Sequence, residues 1–181
     1  MMKDEPQQVI LQIEDNPVDI KLIKGMLDKI TSFNYKLITA ETLKEGCEQI
    51  KNNDIILILL DLNLPDSSGK QTFDKIINIA ENIPVVLVSG LEDLELSLTL
   101  IKEGAQDYIT KRALNRSLLE GTIQFAIERK KLFSELNKRT KELKQLNSFF
   151  VDRELKMIEL KKEINGLLKK YGEEEKYKIH K

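Results

Sequence analysis

A handful of polar residues stand directly behind apolar runs, and their types are those that handle a charged oxygen ligand. Glu14 and Asp15 follow VILQI (Val9 to Ile13), Asp61 follows IILILL (Ile55 to Leu60), Ser89 and Gly90 close PVVLVSG, and Lys111 follows the short DYIT (Asp107 to Thr110). Three carboxylates crowded together repel one another unless a cation joins them. A hard divalent ion answers that need, and Mg²⁺ is favoured because it binds through a few carboxylates and keeps positions for water and phosphate oxygens. Lys111 adds a point charge for an anion and Ser89 a hydroxyl donor. The set is suited to a phosphoryl group held beside a metal ion.

These residues converge only if the runs are strands of one open sheet, in which ligands bind at the carboxyl ends near the point where strand order reverses. The five runs, including YKLITA (Tyr35 to Ala40), are nearly all apolar in the middle of the chain, as strands buried on both faces must be. Helix-like stretches lie between them at roughly Pro17 to Lys29, Thr42 to Lys51, Lys70 to Ala80 and Leu94 to Glu103, and a fifth begins near Leu114. Pro17 after Asn16 and the cap residue Thr42 support helix starts, and Gly104 supports a stop. Strand and helix alternate five times, which predicts an α/β, doubly wound, five-stranded parallel sheet of flavodoxin-like order 2-1-3-4-5. In that order the second strand, ending in the inert Ala40, lies at the edge, and the four chemically endowed strands surround one site.

With those elements in place, the sequence resembles the response-regulator receiver family over about residues 8 to 131. The segments VILQIEDNPVD, ILLDLNLPDSSG, PVVLVSG and EGAQDYITK occur in the family's order. The resemblance implies that Asp61 is the phosphoacceptor, that Asp15 binds Mg²⁺ directly and Glu14 through water, and that Asn63 offers its backbone carbonyl. It further implies that Ser89 and Lys111 bind the phosphoryl oxygens, with Ser89 and the aromatic Tyr108 acting as the switch. Pro65 and Gly69 fall where the family places a proline and a glycine after the acceptor. Two positions depart from the pattern: Arg112 stands where a proline in a cis peptide commonly follows the lysine, and Leu91 is apolar where many relatives are polar. The implied partner is a sensor histidine kinase or phosphotransfer protein, and the implied role is a two-component regulator that is not a turnover enzyme beyond its own phosphorylation and dephosphorylation.

The rest of the chain is of another kind. From residue 132 on there are 13 Lys+Arg against 9 Asp+Glu, whereas residues 1–131 hold 16 against 21. A 4,3 spacing picks out Leu132, Leu136, Arg139, Leu143, Leu146, Phe150, Arg153, Met157, Leu160, Ile164, Leu167 and Tyr171, a coiled-coil seam broken only by two arginines. Upstream the same spacing runs through Arg129, Phe125, Thr122 and Leu118. The expected organisation is therefore a receiver domain at 1–131 and a coiled-coil signalling helix at 132–181, forming a parallel homodimer. A tail folded onto its own domain is disfavoured, because at ~1.5 Å per residue it outreaches so small a body.

Lysines alternate with glutamates in the tail and no dense basic face develops, so nucleic acid is not an expected partner. No apolar run approaches the ~20 residues of a membrane span, and the start MMKDEPQQ is too polar for a signal peptide. Cys47 is the only cysteine, so no intrachain disulfide forms, and a cytoplasmic location is expected. No phosphate-binding glycine motif for ATP occurs, and the lone histidine, His180, cannot build a metal site or a catalytic triad. Two other functions remain open: a metal-dependent phosphohydrolase with an aspartate nucleophile, and a receiver fragment of a larger hybrid sensor kinase. The hydrolase would want a second aspartate two residues after the first, where this chain has Asn63.

Overall fold

The computed structural model describes residues 8–32, 34–90, 94–174 and 176–178. Leu91 and His180 lie outside the described residues. The chain divides into two compact units with a boundary between Phe133 and Ser134.

The first unit contains strands β1 (Gln8–Ile13), β2 (Tyr35–Ala40), β3 (Ile55–Leu60), β4 (Asn63–Leu64), β5 (Ser67–Ser68), β6 (Val85–Ser89) and β7 (Asp107–Thr110). Helices α1 (Pro17–Leu27), α2 (Leu43–Asn52), α3 (Gly69–Ile79) and α4 (Leu94–Lys102) alternate with them, and α5 (Arg116–Lys170) follows. Five strands form one parallel sheet in the order β2-β1-β3-β6-β7. This is the predicted doubly wound order. The short antiparallel pair β4-β5 was not predicted. With two residues per strand it has no periodicity for a sequence reading to detect.

Strand alternation explains the unbroken apolar runs. In β3, Ile58 and Leu60 enter one core with Leu11, Ile13, Phe73 and Ile76, while Leu57 and Leu59 enter another with Ile10, Ile23, Leu27, Leu119 and Ile123. Both faces of the sheet are covered by helices, so no position in the run is free to be polar. Each such Leu or Ile withdrawn from water contributes roughly 1.5–3 kcal/mol before the entropy of ordering is counted. The helix starts follow the local chemistry. The Asn16 side chain accepts from Val18 N–H at 2.9 Å with Pro17 in the first turn, and Thr42 accepts from Glu45 N–H at 3.2 Å. Asp66, from the loop after β3, also caps α2 by accepting from Leu43 and Lys44 N–H at 2.8 and 3.0 Å.

The second unit consists of the remainder of α5 and a short return. The helix ends in a Schellman arrangement: Gly172 has φ +78°, and Glu173 N–H donates to Leu168 C=O at 2.9 Å. The chain then turns back, and the Asn165 side chain accepts from Lys176 and Tyr177 N–H and donates to Tyr177 C=O at 2.7 Å. The seam residues Leu136, Leu143, Leu146, Phe150, Met157, Leu160, Ile164, Leu167 and Tyr171 are all exposed. Upstream the expected continuity of the seam does not hold. Thr122 is buried in the first unit, because that turn of α5 packs on the sheet through Leu119, Ile123 and Ala126, so the exposed stripe resumes only at Phe125.

One buried group stands out. Gln12 in β1 is 1 % exposed, and neither its amide nitrogen nor its amide oxygen has a partner among the described residues. A buried amide left unpaired costs its desolvation. Gln12→Leu should therefore raise stability by about 1–2 kcal/mol. Urea unfolding checks this, and a lower midpoint for the variant would show that hydration satisfies the amide.

Candidate functional site

The site is assembled by extending the sheet ladder one residue past its strands. Glu14 N–H donates to Ala40 C=O, Asp61 N–H to Ile13 C=O and Lys111 N–H to Ser89 C=O, each at 2.9 Å. Because the strands are parallel, all these extensions emerge at one edge. β1 and β3 lie side by side where the chain order reverses, so Glu14 and Asp61 meet there.

Lys111 Nζ lies 2.6 Å from Asp61 Oδ2, 2.7 Å from Glu14 Oε2 and 2.9 Å from Asp19 Oδ2. Glu14, Asp15 and Asp61 each bring a carboxylate oxygen within 4.8 Å of the others, a group able to hold a metal ion. Glu14 and Asp61 are buried while Asp15 is exposed, so the acidic group opens to solvent on one side. The donor set is all oxygen and carries more negative charge than Lys111 can neutralise. That chemistry fits a hard divalent cation such as Mg²⁺.

The other predicted residues occupy the rim and the walls. Asn63 is exposed, and its N–H donates to Asp61 Oδ1 at 3.1 Å, so the two oxygens of Asp61 are held by different donors. Ser89 is fully buried at the end of β6, in register with Thr110. Tyr108 is partly buried, and its hydroxyl donates to Gly90 C=O at 3.0 Å, which ties the ring to the exit of β6. The Lys111–Arg112 peptide is trans, as are all peptides among the described residues. Lys111 reaches Asp61 from that backbone without the family's cis proline.

Asp19 was given no role by the sequence. An acidic residue in the first turn of a helix reads as a partner for the helix dipole, and only the packing of α1 against the sheet edge turns it toward Lys111. Thr72 and Ser67, which brace the loop after Asp61, were also missed. Neither type carries a spacing signal.

The electrostatics follow from burial. Loss of water around Glu14 pushes its carboxyl up to about 7; the Lys111 hydrogen bond opposes this and the Asp61 charge adds to it. For Lys111 burial works downward, but hydrogen bonds to Asp19, Asp61 and Glu14 outweigh it and hold the ammonium well above the ordinary lysine range. Since folded Glu14 binds its proton more tightly than the unfolded chain does, its contribution to stability is present below its ordinary value and fades as pH rises toward 7. In metal-free buffer, Glu14→Gln should therefore gain stability relative to the parent protein as pH is raised from about 5 to about 7.5. Denaturant unfolding at several pH values reads this directly. Parallel pH profiles would show that Glu14 is ionised throughout.

Comparison with known proteins agrees with this geometry. Residues 10–123, more than half of the chain, match the response regulator receiver domain family. The cell cycle response regulator CtrA of Brucella anthropi is 30% identical over 161 residues, covering 83% of this chain and 68% of that protein. The cell cycle transcriptional regulator CtrA of Caulobacter vibrioides is 34% identical over 102 residues, and there the chain spans only 43% of the relative's length. The expectation of no nucleic-acid partner gains no support from a relative so named. Among solved structures, a response regulator receiver domain protein from Clostridium thermocellum is similar with a TM-score of 0.62 and 29% identity, over 70% of this chain and 98% of that one. NtrX from Brucella abortus gives a TM-score of 0.64 and 26% identity, over 74% of this chain and 29% of that one. With its sheet order, its acidic edge and these relatives taken together, the chain belongs to the response-regulator receiver family.

Proposed function

We propose that this protein is a phosphoacceptor regulator in which Asp61 receives a phosphoryl group from the phosphohistidine of a sensor kinase or phosphotransfer protein. The observation that carries the reading is the placement of Asp61 Oδ2 at 2.6 Å from Lys111 Nζ inside the Glu14, Asp15, Asp61 group. In the transfer an Asp61 oxygen forms a bond to phosphorus as the donor's N–P bond breaks, and the imidazole leaves with the electron pair. No protein base is needed, because the nucleophile is already a carboxylate. Lys111 and Ser89 receive the phosphoryl oxygens. Asp15, Asp61, the Asn63 carbonyl and Glu14 would hold a Mg²⁺ ion, which would neutralise phosphoryl charge when bound. Lys111 then passes from its carboxylate partners to the new anion. The rearrangement reaches Ser89 through the Lys111–Ser89 backbone bond and Tyr108 through Gly90.

The competing hydrolase reading lacks support at Asn63, where an acid/base carboxylate would be wanted and only an amide stands. A slow, self-catalysed loss of phosphate suits a switch and not a turnover enzyme. We place the output in the second unit. Its exposed seam along α5 fits a second copy of the chain, and Arg139 and Arg153 within it keep the association weak enough for a modest phosphorylation energy to bias. Among the described residues no helix is long and apolar enough to cross a membrane.

Incubation with acetyl phosphate and Mg²⁺ should label the protein at Asp61. Asp61→Asn should abolish the label, and Asp15→Ala should weaken labelling and Mg²⁺ binding together. Full labelling of the Asp61→Asn variant at another residue would overturn the assignment. For the tail, replacing Arg139 and Arg153 with leucine in the full chain should tighten self-association by about tenfold or more and blunt its response to phosphorylation. Sedimentation of that double variant as a monomer at high concentration would rule out the homodimer.

A further inference from the structure

The segment between Asp61 and α3 is braced by a chain of hydrogen bonds that no part of the phosphotransfer described above uses. Thr72, in the first turns of α3, is 0 % exposed, and its hydroxyl donates to Leu62 C=O at 2.9 Å. Having spent its one proton there, it accepts from Ser67 Oγ at 2.8 Å. Leu62 C=O also accepts from Gly69 N–H at 2.8 Å, a bond made possible by the φ of +56° that only glycine adopts without strain. The carbonyl of Leu62 and the N–H of Asn63 are the two ends of one planar peptide unit. That N–H donates to Asp61 Oδ1 at 3.1 Å.

We infer that Thr72 is a positioning residue for Asp61, acting through this single peptide unit. With the carbonyl end clamped by Thr72 and Gly69, the Leu62–Asn63 plane cannot rotate. Its N–H is then aimed at Oδ1 of Asp61, which leaves Oδ2 to face Lys111 and an incoming phosphorus atom. Polarisation runs the same way: each donor along Ser67, Thr72 and the peptide strengthens the next, ending on the carboxylate. Thr72 is buried and its hydroxyl bonds to Leu62 and Ser67, not to Lys111 or the acidic group, so its effect on Asp61 passes through the peptide. The inference rests on the reading of Asp61 as the acceptor.

The test uses the full chain with Thr72→Val, which keeps the shape and removes the hydroxyl, and Thr72→Ser, which keeps the hydroxyl. Gly69 still satisfies the Leu62 carbonyl in the valine variant, so the loop retains one of its two clamps. Thr72→Val should lower the maximal rate of labelling by acetyl phosphate about tenfold with little change in the half-saturating donor concentration. The Asn63 amide proton resonance should move upfield as its bond to Asp61 loosens, and Thr72→Ser should restore both readings. Wild-type labelling rate with an unmoved Asn63 amide would overturn the inference, as would a serine variant as slow as the valine one, since packing of the methyl group would then be the cause. Should the valine variant fail to fold, Ser67→Ala decides: the Asn63 amide must shift in the same direction, and an unmoved amide rejects the relay. The amide is measured without any phosphodonor. Failure of the parent protein to label at Asp61 would thus sink the acceptor reading alone.

Discussion

A single ammonium group, that of Lys111, sits among the carboxylates of Glu14, Asp19 and Asp61, and the sheet edge is arranged around that contact. Like charges at this separation repel strongly when water is excluded, and Glu14 is 2 % exposed. One cation cannot neutralise the whole group. Burial raises the Glu14 carboxyl and the Asp61 charge adds to it, while the surplus of acid leaves a place for a second positive charge. An ammonium shared by three acids can be drawn to a more strongly charged oxyanion without being left unpaired, since some of its partners stay behind.

The remainder of the first unit holds these groups in register. Parallel strands carry their carboxyl ends to a common edge, and the ladder bonds past β1, β3 and β7 fix the backbones of Glu14, Asp61 and Lys111 before any side chain is considered. Two cores, one on each face, keep that edge from shifting. The loop after Asp61 is held from both sides, by Thr72 and Gly69 on the Leu62 carbonyl and by Asp66 on the start of α2. Asp61 therefore belongs to a rigid frame, as the phosphoryl transfer proposed for it requires. Beside it, Lys111 N–H meets the Ser89 carbonyl and the Tyr108 hydroxyl meets the Gly90 carbonyl.

The second unit follows a different physics. Its seam residues run along one helix face and remain exposed, so they build no core of their own. A stripe of that kind is stable in water only as a surface waiting to be covered, and the arginines within it limit how firmly. The helix end is secured locally. The Schellman turn at Gly172 and the Asn165 side chain close it without using the stripe.

Much of the first unit was legible in the order of residues alone. Short apolar runs with no polar interruption, such as Ile55–Leu60, alternating with helix-like stretches, read as strands covered on both faces, and that reading leads to the doubly wound sheet and to polar residues gathering at its edge. Glu14, Asp15, Asp61 and Lys111 could be named because each stands one or two steps beyond a strand-like run. The seam of the tail was equally plain from its spacing, although its passage through Thr122 was not, because whether a helical residue faces solvent or a sheet depends on what packs beside it. Asp19, Ser67 and Thr72 were invisible for the same reason. An aspartate in a first turn or a threonine in a helix carries no periodic signal of its own, and its partner is many residues away. Residue type and spacing determined which strands and which acids this protein has, while the directions in which side chains meet across elements were decided only when the chain packed, since hydrogen bonds are directional and burial is not.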